Sequence, residues 1–133
     1  MSKIGEKLSL DKKWILISGR ANLSEDFIRL HQDKIDWYVL SIYNKTISES
    51  FVREFQDKIH WPGISGRLDF SENFIAEFKD RVFWHSISAN RNMSEVFMNK
   101  FQHYIDWAAY MIFNPNYNPN YKKSPVDWIT EGF

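Results

Sequence analysis

Apolar and polar positions along this chain recur in a fixed phase. Trp14, Trp37, Trp61, Trp84 and Trp107 are separated by 23, 24, 23 and 23 residues. A period of about 20–50 residues marks a repeat architecture, in which each unit buries its apolar face against its neighbours. Other columns keep step. Ten residues before each tryptophan stand Ile4, Phe27, Phe51, Phe74 and Phe97, and six before stand Leu8, His31, Phe55, Phe78 and Phe101. Two before stand Ile35, Ile59, Val82 and Ile105, with Lys12 breaking the column in the first unit. Three after stand Ile17, Leu40, Ile64, Ile87 and Tyr110. Nine after, or ten after Trp37, stand Leu23, Ile47, Phe70 and Met93, and each of these four is followed by Ser-Glu.

The pattern predicts two elements per unit. Ser24 is a good N-cap, because its hydroxyl accepts from an orphan backbone N–H of the first turn. Glu25 then places negative charge at the positive end of the helix dipole. Apolar residues follow at i, i+1, i+4 and i+8, as in Phe27, Ile28, His31 and Ile35. That spacing predicts a helix of about twelve residues, with Lys34, Lys58 and Arg81 in its last turn. The second half of the unit holds Trp and an apolar residue at i and i+3. With Asp36 or Asp106 as N-cap, it suits a short helix of about two turns. Pro62 falls in a first turn, where proline is tolerated. The β-friendly runs Trp14-Ile15-Leu16-Ile17 and Tyr38-Val39-Leu40 leave a strand as the alternative, which would give an α/β leucine-rich-repeat-like solenoid. Pro62-Gly63 fits poorly in a buried central strand, so two helices are preferred. The expected fold is an all-α, short helical-repeat solenoid, a long helix plus a short helix in each unit of about 23 residues. It spans residues 1–113, with a truncated first unit and further units starting near residues 23, 47, 70 and 93.

Residues 114–133 form an expected linker and C-terminal cap or arm. The tandem Asn-Pro-Asn-Tyr of residues 114–121 favours turns and ends the repeats. Ser124-Pro125 then offers an N-cap and a proline at N1 for a short terminal helix. As a cap, the segment would cover the exposed Trp107 end of the core.

Leu23-Ser-Glu-Asp-Phe-Ile-Arg with Gln32-Asp-Lys-Ile-Asp-Trp37, and Phe51-Val-Arg-Glu-Phe-Gln-Asp-Lys-Ile-His-Trp61, resemble the short tandem "LSEDFIREFKDKIDW" repeats of giant viruses and bacteriophages. The resemblance covers about residues 14–113, with departures at His31, Pro62-Gly63 and Met111. It implies a viral or phage repeat protein and brings no catalytic residues with it.

Composition narrows the functions. Lys+Arg and Asp+Glu are 17 each, so the chain has no net charge. That removes the basic balance of a protein held on nucleic acid mainly by phosphate contacts. There is no cysteine, which excludes disulfides, thiolate metal sites and cysteine nucleophiles. The N-terminus mixes charges with apolar residues unlike a signal peptide, and no stretch approaches the ~18 apolar residues that span a bilayer. A cytoplasmic location, that of the host if the protein is viral, and no membrane contact are expected. Aromatic residues reach 17%. Most lie in the repeat columns, where large rings join units that each bury little surface.

No catalytic, cofactor-binding or metal-ligating motif stands out, and no cofactor is expected. The four histidines fall in four different columns: His31, His60, His85 and His103. The Ser-Glu columns read as helix caps, and Asp33-Lys34 and its equivalents as a solvated face. What remains is the variable surface, because core positions of a repeat are committed to packing. Arg20, Tyr38, Val39, Tyr43, Arg67, His85, Asn90 and Arg91 are its candidate partner-binding residues, with Tyr117, Tyr121, Lys122 and Lys123 as candidate tail contacts. The expected function is non-catalytic binding of another protein. Blocking of a host defence complex, as an anti-CRISPR does, is one concrete form of it. Nucleic-acid binding is the alternative, and an enzyme is the less favoured one.

Overall fold

The computed structural model describes residues 10–119, with side chains from Lys12 onward. In chain order its helices are α1 (Leu10–Ser18), α2 (Glu25–Leu30), α3 (Trp37–Tyr43), α4 (Glu49–Glu54), α5 (Trp61–Ile64), α6 (Glu72–Glu77), α7 (Trp84–Asn90), α8 (Glu95–Lys100) and α9 (Trp107–Phe113). No strand occurs among the described residues, so the all-α repeat class holds and the leucine-rich-repeat-like alternative falls. No helix among them is long and apolar enough to cross a membrane.

Each repeat opens on its serine. Ser24, Ser48, Ser71 and Ser94 have extended backbone and accept from the N–H of Phe27, Phe51, Phe74 and Phe97, each at 3.1 Å. The helix that follows has six residues, half the length its periodicity predicts. It ends at the residue six before the tryptophan, where φ is near −110° and ψ near +27°. Lys34, Lys58 and Arg81 therefore lie in the turn beyond the helix.

The carbonyls of that turn explain the stop. Gln32 and Gln56 fold back so that their amides donate to the carbonyls of Arg29 and Arg53, both at 3.0 Å. The indole N–H of Trp37 donates to the carbonyl of Gln32 at 3.1 Å, and that of Trp107 to Gln102 at 2.9 Å. Side chains thus satisfy acceptors that a longer helix would have used. The apolar spacing survives the break, because Ile35 N–H still donates to His31 carbonyl at 3.1 Å. Ile35 therefore stays on the same face as it would in a continuous helix.

The second helix starts on the tryptophan. Asp36 and Asp106 cap it as expected, accepting from the N–H of Val39 and Ala109 at 3.0 Å. In α5 it shrinks to four residues. There Gly63 admits a close approach, since a Cβ on it would stand 2.9 Å from Ile42 Cγ1.

The chain divides into two compact units, Met1–Ile64 and Ser65–Phe133. In the first, Ile28, Leu40, Ile47, Phe51 and Val52 are fully buried. Trp37 stacks on Phe55 of the following repeat with centroids 5.1 Å apart, and Phe55 meets Phe51 at 4.6 Å. Trp14 makes the equivalent contact with His31 at 5.1 Å, so His31 serves as a core ring in a phenylalanine column. In the second, Phe97, Met98, Phe101, Ile105, Trp107 and Tyr110 form the core, with Trp84 packed on it.

Bonds from backbone N–H groups to side-chain oxygens join successive repeats within each unit. The serine four residues after Trp14, Trp37, Trp61 and Trp84 is buried, and it accepts from the N–H just before the next tryptophan. Ser18 accepts from Asp36 at 2.9 Å and Ser41 from His60 at 2.9 Å. Ser65 accepts from Phe83 at 2.8 Å and Ser88 from Asp106 at 2.9 Å. The cap glutamates form a second link. Glu25 accepts from Ser48 N–H at 2.7 Å, and Glu72 from Ser94 N–H at 2.7 Å.

The first Asn-Pro-Asn-Tyr belongs to the second unit and closes it. Asn114 is buried, and its amide donates to the carbonyls of Ser88 and Arg91, both at 2.8 Å. Tyr110 hydroxyl accepts from Asn118 N–H at 3.0 Å. The helix expected at Ser124-Pro125 lies outside the described residues.

Candidate functional site

In the first unit, four positions of each second helix stay out of the core: one, two, five and six residues after the tryptophan. On α1 and just beyond it these are Ile15, Leu16, Gly19 and Arg20, and on α3 they are Tyr38, Val39, Ile42 and Tyr43. Together these eight residues line an open groove of about 550 Å³. Gly19 brings the two helices close, since a Cβ there would stand 3.3 Å from Val39 Cγ1. The walls are apolar and unusually open to solvent. Leu16 is 64% exposed, Tyr38 58% and Tyr43 54%. Tyr38 is held from one side by the His60 ring, 4.6 Å away.

The structure therefore gathers four of the sequence-derived candidates, Arg20, Tyr38, Val39 and Tyr43, into one site. Ile15, Leu16, Gly19 and Ile42 complete it. Neither Gly19 nor Ile42 stands out in the sequence as a binding residue, although both sit at the fifth position after a tryptophan, one turn on from Ile15 and Tyr38.

The remaining candidates lie in the second unit, and several are structural. Arg67 is no free anchor. Its Nε donates to Asp69 Oδ1 at 3.0 Å, its guanidinium lies 4.5 Å from the Phe70 ring centre, and its side chain is only 10% exposed. The same arginine holds the Asp69 carboxyl below its ordinary range. Arg91 is half-buried and donates to Leu68 carbonyl at 3.3 Å. Asn90 is exposed, with its amide on Ser86 carbonyl at 3.0 Å. Tyr117, expected as a tail contact, instead packs on the core, its ring 5.3 Å from that of Tyr110. Tyr121, Lys122 and Lys123 lie outside the described residues.

His85 is exposed, and its Nδ1 stands 3.0 Å from Asp106 Oδ2. The Asp106 carboxyl is held below its ordinary 3.8, first by the Ala109 N–H and then by His85. A folded-state value below the unfolded one means that the carboxylate contributes stability above pH 3.8, and that this is lost as the pH falls through the folded value. Asp106→Asn keeps a capping oxygen but does not titrate. Its stability is expected to fall less steeply than the wild type's below about pH 4, as acid titrations followed by circular dichroism would show. Equal slopes would mean that the carboxylate contributes nothing to acid unfolding.

No group of three His, Asp or Glu side chains placed to hold a metal occurs among the described residues. The tryptophan and phenylalanine columns face each other as packed rings rather than open platforms for bases. Fold and site thus define an all-α helical-repeat protein with an apolar groove on its second helices. Comparison with known proteins returned no matching family model, no matching curated protein and no matching solved structure.

Proposed function

We propose that the protein is a non-catalytic binding module that holds another protein in the groove between α1 and α3. The observation supporting this is the pair of half-exposed tyrosines, Tyr38 and Tyr43, above a floor of Val39, Ile42 and Gly19. Rings that are solvent-exposed yet set beside an apolar cleft are good interface anchors, since they bury much area and keep a hydroxyl for the rim. The groove is lined by the positions that the repeat leaves uncommitted, and varying such positions is how repeat proteins acquire partners. The resemblance to phage and giant-virus repeats makes a host defence complex, blocked sterically, the first target class to test.

The test is affinity capture from host lysate with wild type, Tyr38→Ala and Arg67→Ala. Tyr38→Ala is expected to weaken capture by roughly tenfold or more while its melting temperature stays unchanged. Arg67→Ala is expected to do the reverse. Capture that survives Tyr38→Ala would place the interface elsewhere.

A further inference from the structure

We infer that the partner presents a carboxylate beside a bulky apolar side chain, on a segment about two helical turns long, and that Arg20 reads the carboxylate. This rests on the groove being the binding face. Among the described residues, Arg20 is the one formally charged residue lining it. It is exposed, and its side chain makes no hydrogen bond or ion pair with a described residue.

The repeat supplies its own control. Arg20 and Arg67 occupy the same position, six residues after a tryptophan. Arg67 is gripped by Asp69, two residues on. The residue two after Arg20 is Asn22, the neutral amide of the same shape, and it is exposed. One arginine of the column is thus paired within the chain, while the other has no partner among the described residues. An arginine that lines the same groove as Leu16 and Val39 works at the edge of an apolar surface, where a charge-assisted bond to a carboxylate is stronger than in open water. A single cation suits one carboxylate and is too little for a nucleic-acid backbone, whose affinity comes from many phosphate contacts. The length follows from the walls. The seven residues of α3 rise about 1.5 Å each, giving a groove of about 10 Å.

The experiment is selection of a random dodecapeptide library on the full chain, repeated on Tyr38→Ala, Arg20→Ala and Asn22→Asp. Asn22→Asp recreates the Asp69 arrangement beside Arg20. It exchanges an amide for a carboxylate of equal size, so it quenches the charge and leaves every groove side chain in place. Peptides enriched on the wild type are expected to carry Asp or Glu next to Leu, Phe or Trp. They are expected to bind roughly tenfold more weakly to both Arg20→Ala and Asn22→Asp, with all melting temperatures unchanged. Peptides that need Tyr38 but ignore both changes at the arginine would overturn the acidic partner and leave the groove standing. If no peptide depends on Tyr38, the groove itself is not the binding face. A dimer that Tyr38→Ala converts to a monomer would make a second copy of the chain the occupant, again overturning the peptide.

Discussion

Phe51→Ala is expected to lower the unfolding free energy by about 3–5 kcal/mol, the largest loss expected from a single truncation in the first unit. Phe51 is fully buried in Met1–Ile64, and its ring centre lies 4.6 Å from that of Phe55 and 6.4 Å from that of Trp37. The guanidinium of Arg29 covers it from outside, 5.2 Å from the ring centre, while bonded to Glu54 at 2.9 Å. Removing the ring leaves a cavity that the helices cannot close, because their spacing is fixed by bonds between repeats such as His60 N–H to the Ser41 hydroxyl. Leu30→Ala in the neighbouring helix α2 is the control. Leu30 is 78% exposed, so its loss is expected to stay within about 0.5 kcal/mol. Urea unfolding followed by tryptophan fluorescence measures both. A Phe51→Ala loss below about 1 kcal/mol would mean that the repeats slide together to fill the gap.

Asn114→Ala is expected to cost about 2–3 kcal/mol by a different route. The Asn114 amide serves the Ser88 and Arg91 carbonyls, and its oxygen accepts from Asn116 N–H at 2.8 Å. Alanine leaves buried polar groups without partners, which costs more than the bonds themselves contribute. Asn114→Asp separates the two halves of the role. It keeps the acceptor but sets a carboxylate against two carbonyl oxygens, and so is expected to be at least as damaging. Thermal unfolding by circular dichroism reads both. A stable Asn114→Ala would mean that water replaces the amide at no cost.

Much of this architecture is legible in the sequence because its causes are local. The serine and aspartate caps act on backbone within three residues of themselves, so Ser24 and Asp36 announce their helices. The phase of the tryptophans reports the stacking of rings one repeat apart. The helix break is hidden for a physical reason: the bond from Ile35 to His31 preserves the four-residue spacing, so a kinked segment and a straight one share one apolar pattern. The bonds made by Ser18, Ser41, Ser65 and Ser88 are hidden too, since their partner is a backbone N–H, which has no side-chain signature. Their constant phase is the available signal. The groove is half visible. Tyr38, Val39, Tyr43 and Arg20 stand out as variable positions, but Arg67 stands out equally. Only the residue two places on, Asp69 in one repeat and Asn22 in the other, distinguishes the paired arginine from the one that has no partner among the described residues.

The bonds between repeats have a consequence for how the chain folds. Those from Ser18 to Asp36, Glu25 to Ser48 and Asn114 to Ser88 span 18, 23 and 26 residues. Every loop that must close to form them is short, so closure entropy is small and contact order low. Such a chain is expected to fold quickly and to nucleate at whichever neighbouring pair of repeats meets first. During synthesis, a repeat could dock as soon as the next one clears the ribosome, well before the C-terminus exists.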